Sequence, residues 1–284
     1  MTALAAPTAA ITSRRVAWHT FGAILARDLR VMRSQFGSIL TRAIMQPLAF
    51  TFVFAYLMPK LGLTGAPGIT GSAFVTVLVP GLIAITIAVQ GLMAVTMPLL
   101  LEFSYNKEIE DRAMAPIPIW LIGVAKIVSG AIQALVAGVL VVPIVLFVHA
   151  AGDQPYVHVY NIPLCAVIVL LSALLGAATG LLLGTIIDIK KAQQFFAMVI
   201  TPMTMLGCVY YPWSTLNAVA WLKWAVLINP VVYMSEGLRA TLTPSLDGHP
   251  IAHMPVAAVL AALGGGLLVV GGLAVNRFVR RVVG

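Results

Sequence analysis

Six stretches of this chain, roughly 37–58, 74–100, 119–148, 162–187, 192–211 and 256–276, are almost uninterrupted hydrocarbon. A helix that crosses the hydrocarbon of a bilayer needs about 20 mostly apolar residues, and each run meets that length. Such runs leave little polar surface to offer water. The chain is 61% hydrophobic and 9% charged, whereas soluble domains carry about 25% charged residues. The expected class is an all-α integral membrane protein with six transmembrane helices. Prolines within or near the run ends, Pro47, Pro98, Pro143 and Pro202, predict kinks that neighbouring helices must satisfy.

Six crossings return both termini to the same side, and the cations say which. The segments that share a side with the termini hold Arg14, Arg15, Arg27, Arg30, Arg33, Lys107, Arg112, Lys190, Lys191, Arg277, Arg280 and Arg281. The opposite segments hold only Lys60, Lys223 and Arg239. Cytoplasmic loops collect Lys and Arg, so both termini are expected in the cytoplasm. Arg42 and Lys126 fall near inner ends of their runs, where long side chains can snorkel. The net charge of +8 follows from this topology and does not indicate nucleic acid. Residues 1–16 lack the charged-then-apolar order of a signal peptide and read as a disordered tail.

Two polar elements interrupt the hydrocarbon. Residues 17–34 place Trp18, Phe21, Leu25, Leu29 and Met32 at helical spacing, with Arg27, Arg30 and Arg33 elsewhere on the wheel. This is a basic amphipathic helix suited to the inner interface, an anchor and a contact surface at once. Between the second and third runs lies Tyr105–Pro118, "YNKEIEDRAMAPIP". Glu108 and Arg112 are spaced i,i+4 in the favourable order, and Lys107 and Asp111 in the reverse one. A short cytoplasmic helix is expected over about 102–115, closed by Pro116, with Pro118 in the first turn of the next span. On local pattern alone, a solvated turn explains these charges equally well.

The fourth run holds Gly176, Gly180 and Gly184 at i, i+4 and i+8, which predicts close helix packing within the subunit or across a dimer. The glycines of 264–272 carry the same expectation. Residues 213–243 are neither plainly spanning nor plainly soluble. Three tryptophans favour the headgroup level, Asn229 and Pro230 fit a helix start, and Glu236 and Arg239 can pair on that helix's surface. A broken, re-entrant outer element is expected.

Chemistry is sparse. There is no Gly-x-x-x-x-Gly-Lys-Ser/Thr loop and no Gly-x-Ser-x-Gly setting. His249 and His253 have a zinc-like spacing interrupted by Pro250, and Cys165 and Cys208 both lie in apolar runs. No catalytic residue, metal or cofactor is expected on this chain. Gln90 and Gln133 are the long polar side chains deep in the runs, and hydrogen bonding between helices is weighed above contact with a transported molecule.

In order along the chain, these pieces resemble the membrane permease subunits of type-2 ABC (ATP-binding cassette) exporters, over residues of about 15 to 284. "EIEDRAMAPIPIWLIGVAKI" is similar to the family's charged loop leading into a Ser/Ala-Pro-Ile step and a Gly-x-x-Lys, here Ala115, Pro116, Ile117, Gly123 and Lys126. "TPMTMLGCVYYPWSTL…INPVVYMSEGLRA" is similar to its Thr-Pro, Pro and Asn-Pro…Glu…Leu-Arg series, here Thr201, Pro202, Pro212, Asn229, Pro230, Glu236, Leu238 and Arg239. The Gly-Thr usual in the charged loop is Glu110-Asp111 here.

The resemblance implies a bacterial plasma-membrane permease, dimeric with a second copy or a paralogue, and driven by two separate cytosolic ATPases that hold the ATP and Mg. It implies ATPase-coupling contacts at Lys107, Glu108, Glu110, Asp111 and Arg112, at Arg27 and Arg30 of the interface helix, and at Lys190 and Lys191. Export of a hydrophobic or amphiphilic cargo is expected, with Phe50, Phe54, Gln90, Gln133 and Met203 as pathway candidates. The aromatic row Phe50, Phe52, Phe54 and Tyr56 keeps a polysaccharide or glycoconjugate cargo as the alternative. An ion-coupled transporter is disfavoured by the lack of midplane charge and of an inverted repeat.

Overall fold

A computed structural model describes residues 14–34, 36–61, 71–106, 118–148, 157–243, 245–246, 249–250 and 253–283. The chain folds as α1 (Arg14–Ser34), α2 (Phe36–Thr51), a π-helical stretch (Phe52–Leu57), α3 (Met58–Lys60) and α4 (Gly71–Leu101). A second π-helical stretch (Glu102–Asn106) leads to the charged segment. Then come α5 (Ile119–Phe147), α6 (Ile162–Ile186), a 3₁₀ turn (Ile189–Lys191) and α7 (Ala192–Met205). Two 3₁₀ turns (Trp213–Ala218, Val226–Ile228) flank α8 (Ala220–Ala225), followed by α9 (Pro230–Leu242) and α10 (Val256–Val283). Among the described residues the strands are one antiparallel pair of two residues each, Ser245 opposite Pro250 and Leu246 opposite His249.

Among the described residues, four helices are long and apolar enough to cross a membrane: α4 with its extension (Phe74–Ser104), α5, α6 and α10. The first and fifth apolar runs, expected as spans over 37–58 and 192–211, are not continuous α-helices of that length. The first changes to π geometry at Phe52, five residues after Pro47. The fifth stops as α7 at Met205, and its 14 residues rise about 21 Å at 1.5 Å each.

Helix α4 is the centre of the bundle. Of its most apolar window 78% is buried within the chain, against 11% for α10, so α10 turns most of its apolar surface outward. Helix α4 packs on α6, α5 and α9. Its contact with α6 is set by glycine. A Cβ on Gly180 would stand 2.4 Å from the Leu92 carbonyl oxygen, and one on Gly176 would stand 3.0 Å from that of Ala88. The Thr96 hydroxyl lies 2.7 Å from its own-helix Leu92 carbonyl and 2.9 Å from the Gly180 carbonyl across the interface. The Gly176/Gly180/Gly184 stripe therefore packs within the subunit. The glycines of α10 behave otherwise. Nothing lies within 4 Å of a Cβ built on Gly264, Gly265 or Gly272, whereas one on Gly266 would stand 3.5 Å from Leu175 of α6, so within the described chain this segment makes close contact through Gly266 and leaves its other glycines open.

Candidate functional site

Three groups of polar and aromatic residues lie where helix ends meet, and a cavity lies beside one of them. Lys107, Glu108, Glu110, Asp111 and Arg112 lie outside the described residues. The residues on either side of that segment, however, are described. On the side of α4, Glu102 and Lys126 of α5 form an ion pair with N–O distances of 2.6 and 2.9 Å, their side chains 12% and 7% exposed. Lys126 therefore does not snorkel to the interface but neutralises a carboxylate one helix away. Phe103, the next residue, packs tilted against Phe278 of α10 at 6.4 Å, with the Arg281 guanidinium 4.4 Å over its ring. Arg281 Nη1 also donates to the carbonyls of Thr185 and Gly184, at 2.6 and 3.2 Å. Those are the last-turn carbonyls of α6, which lack partners within the helix and favour a cation. One arginine thus ties the entry to the charged segment to the end of α6, four residues before Lys190, which lies with Lys191 in an exposed 3₁₀ turn.

On α1, Arg27 and Arg30 are exposed, and Arg30 Nε donates back to the Ala26 carbonyl at 3.3 Å. This helix packs against α5 and α2.

The pathway candidates separate into two places. Phe50 and Phe54 stack at 6.2 Å, and Tyr210, beyond α7, closes on both at 5.6 and 5.1 Å. Phe74 adds a fourth ring at 6.5 Å from Phe54. The Tyr210 hydroxyl and the Thr51 hydroxyl beside this cluster are buried without a hydrogen-bond partner among the described residues. Phe52 and Tyr56 form a separate stack at 5.3 Å. Met203 is buried in the apolar core near the end of α7. Gln90 and Gln133 instead share a cavity of about 260 Å³ between α1, α4 and α5, near Lys126.

The third group is the outer element. Beyond Met205 the chain leaves helix through Gly207 and Cys208, whose φ is 50°. A Cβ on Gly81 of α4 would fall 2.0 Å from the Val209 carbonyl oxygen, so this turn is pressed into α4 where only glycine fits. Its carbonyls would be costly to bury unpaired. Side chains of the following element take them up. Asn229 Nδ2 donates to Met203 O at 2.9 Å, the Tyr211 hydroxyl to Met205 O at 3.3 Å, Ser235 Oγ to Gly207 O at 2.9 Å, and Arg239 Nη2 to Cys208 O at 3.1 Å. Asn229 Oδ1 meanwhile accepts from Val231 N and caps α9, with Pro230 in its first turn.

Glu236 and Arg239 close this arrangement. They pair at 2.5 Å with no exposed surface on either, so the surface pair expected from sequence is a buried one. Glu236 also accepts from Trp213 N at 2.8 Å and Met254 N at 2.9 Å, the second lying just before α10. A carboxylate with two backbone donors and a guanidinium is well satisfied in a low dielectric. Trp221 and Trp224 remain 73% and 68% exposed, while Lys223 sits 4.2 Å over the Trp213 ring.

Sequence reasoning missed Phe74, Phe103, Tyr210, Cys208 and Arg281 as parts of these groups. Only Arg281 gave a signal, as one of a terminal pair of arginines at the end of an apolar run.

Long apolar helices joined at their ends by buried polar ties, with an unwound turn closed by a broken helical element, define a multi-pass membrane protein. The family model for the ABC-2 type transporter matches residues 19–243, and the chain belongs to that family of membrane transport permeases. It is 28% identical over 229 residues to the inner membrane transport permease YadH of Escherichia coli K12, covering 78% of this chain and 82% of that protein. The YadH proteins of E. coli O157:H7 and Shigella flexneri match with the same identity and coverage.

Proposed function

We propose that the chain is the permease half of an ATP-driven exporter, with six crossings and both termini in the cytoplasm, moving a hydrophobic or amphiphilic cargo outward. It carries no nucleotide site and is driven by two cytosolic ATP-binding-cassette subunits that grip the charged segment 107–112. The YadH relatives are inner membrane permeases, which supports a bacterial plasma membrane. The observation that carries the reading is the bracing of that segment's stem. Glu102–Lys126 fixes it to α5, while Phe103, Phe278 and Arg281 fix it to α10 and to the end of α6. A solvated turn has no need of such a root, whereas a lever must not bend where it enters the bundle. Closure of the ATPases on ATP would push this lever, α1 and Lys190–Lys191 together. The result would be a rocking of two permeases that opens a path between them.

The cargo class rests on the scarcity of charge along the apolar helices. The Phe50, Phe54, Phe74 and Tyr210 rings, with an unpartnered hydroxyl among them, favour a second reading within the same family. Sugars stack on aromatic faces and need hydroxyl partners, so a glycoconjugate cargo is the alternative. Reversing both charges, Glu108→Lys with Arg112→Glu, tests the reading by co-purification with the ATPase. Loss of the complex with a correctly inserted permease is expected. An unchanged complex with unchanged transport would contradict it.

A further inference from the structure

The cavity between α1, α4 and α5 holds polar groups that nothing in the fold uses. Asp28 of α1, Gln90 of α4 and Gln133 of α5 all line it and are only part-buried. None of the three has a hydrogen-bond or ion-pair partner among the described residues. Long polar side chains deep in a helical bundle ordinarily hydrogen-bond to a neighbouring helix. These two glutamines face the same space and do not meet. The charge of the lining is also unbalanced. Among the described residues Lys126 is its one cation, and Glu102 already neutralises it at 2.6 Å. The Asp28 carboxylate is therefore a surplus negative charge at the cavity wall. The remaining wall is apolar and soft, with Met32, Met93 and Met97 presenting flexible thioethers that adapt to irregular shapes. At about 260 Å³ the space lies just below the range of about 300–1,000 Å³ typical of small-molecule sites, enough for a head group with one or two rings.

We propose that this cavity binds the cationic head of an amphiphile. Asp28 is the counter-ion, the amide oxygens of Gln90 and Gln133 turn their dipoles to the same charge, and the three methionines pack the apolar body. The occupant is a single positive charge on a flat or elongated apolar frame. An anionic head is disfavoured by Asp28, and a wholly apolar molecule would leave three polar groups dry and unpaired. As a binding site it stands on the geometry of one subunit. As the station where cargo waits on the cytosolic side, it rests on the export reading above.

The test is a titration of the permease in phosphatidylglycerol nanodiscs, whose head groups carry no cation, with a dimethylaminostyryl-pyridinium dye, a permanent cation whose fluorescence rises in apolar surroundings, with empty discs subtracted. Saturable binding is expected, displaced by an unlabelled pyridinium cation but not by the uncharged pyridine parent at alkaline pH. Asp28→Asn is expected to weaken binding about tenfold, the size of one charge-assisted contact. Ala94→Phe, which fills the cavity and leaves Asp28 in place, is expected to remove it. No saturable signal, equal displacement by the neutral parent, or wild-type affinity in both variants would overturn the proposal. The wild-type competition decides the matter even if a variant fails to fold. Adding phosphatidylethanolamine to the discs separates two sources of such a head: competition assigns the site to the resident lipid, and none assigns it to cargo. Lost dye binding with intact ATPase capture defeats this site alone, whereas intact binding without ATPase capture defeats the export reading alone.

Discussion

Glu236 Oε1 lies 2.5 Å from Arg239 Nη1 on one face of α9, with neither side chain exposed. The pair joins three parts of the chain that are distant in sequence. Glu236 holds the backbone N–H of Trp213 and Met254, and Arg239 reaches the carbonyls of Cys208 and Val77. It thereby lets an irregular turn exist against α4, where buried backbone polar groups must be satisfied by protein.

Removing one partner leaves the other charge buried and unpaired. Glu236→Gln or Arg239→Met is expected to cost about 3–5 kcal/mol. The double variant is expected to cost less than the sum of the two. Thermal unfolding in detergent, followed by tryptophan fluorescence, measures both. Additive losses would show that the two side chains act independently.

The α4–α6 contact predicts a sharp contrast between glycines. Gly180→Ala forces a Cβ against the Leu92 carbonyl at 2.4 Å, a backbone atom that cannot swing away, and overpacking of this kind costs about 1–3 kcal/mol or more. Gly264→Ala meets nothing within 4 Å and gains helix propensity of about 1 kcal/mol. Melting temperatures of the two variants are expected to move in opposite directions.

Arg281 bridges the Phe103 ring and the end of α6. Arg281→Ala is expected to lower transport several-fold while leaving capture of the ATPase intact, because it loosens the stem and not the gripped surface. Arg281→Lys keeps the charge but not the fork that reaches two carbonyls, so partial rescue is expected. Transport and ATP hydrolysis measured together in proteoliposomes check this. Equal transport by all three forms would count against a bracing role.

The helical class and the transporter family were legible in the sequence, because lipid imposes long apolar runs and because Pro116, Asn229-Pro230 and Glu236…Arg239 recur in a fixed order. What escaped was governed by packing between distant segments. Nothing local marks Tyr210 as the partner of Phe50, since Tyr210 lies 160 residues further on in the chain. The run to residue 211 hides the stop at Met205, because Gly207 and Cys208 are as apolar as a helix would be. Glu236 and Arg239 read as a surface pair because helical spacing reports who can meet and not what covers them. Gly264–Gly272 shows the converse, since a small-residue pattern does not say whether another helix comes to fill it.

Tyr210 offers a test of the aromatic cluster. Its hydroxyl is buried without a partner among the described residues, so Tyr210→Phe removes an unsatisfied group and is expected to hold or raise stability by up to about 1 kcal/mol. If the cluster lines the path of a hydroxyl-bearing cargo, transport of that cargo falls in the same variant. A stability loss above that size would mean that the hydroxyl has a structural partner.

The most direct test of the account is the accessibility of one engineered thiol. Glu108→Cys, with Cys165 and Cys208 replaced by Ser, is treated with a membrane-impermeant maleimide in inside-out and right-side-out vesicles, with and without the ATPase subunits. The account predicts labelling only in inside-out vesicles, and protection when the ATPase is bound. Labelling from the outer face, or labelling unaffected by the ATPase, would contradict the claim that this charged segment is the grip of a cytosolic motor.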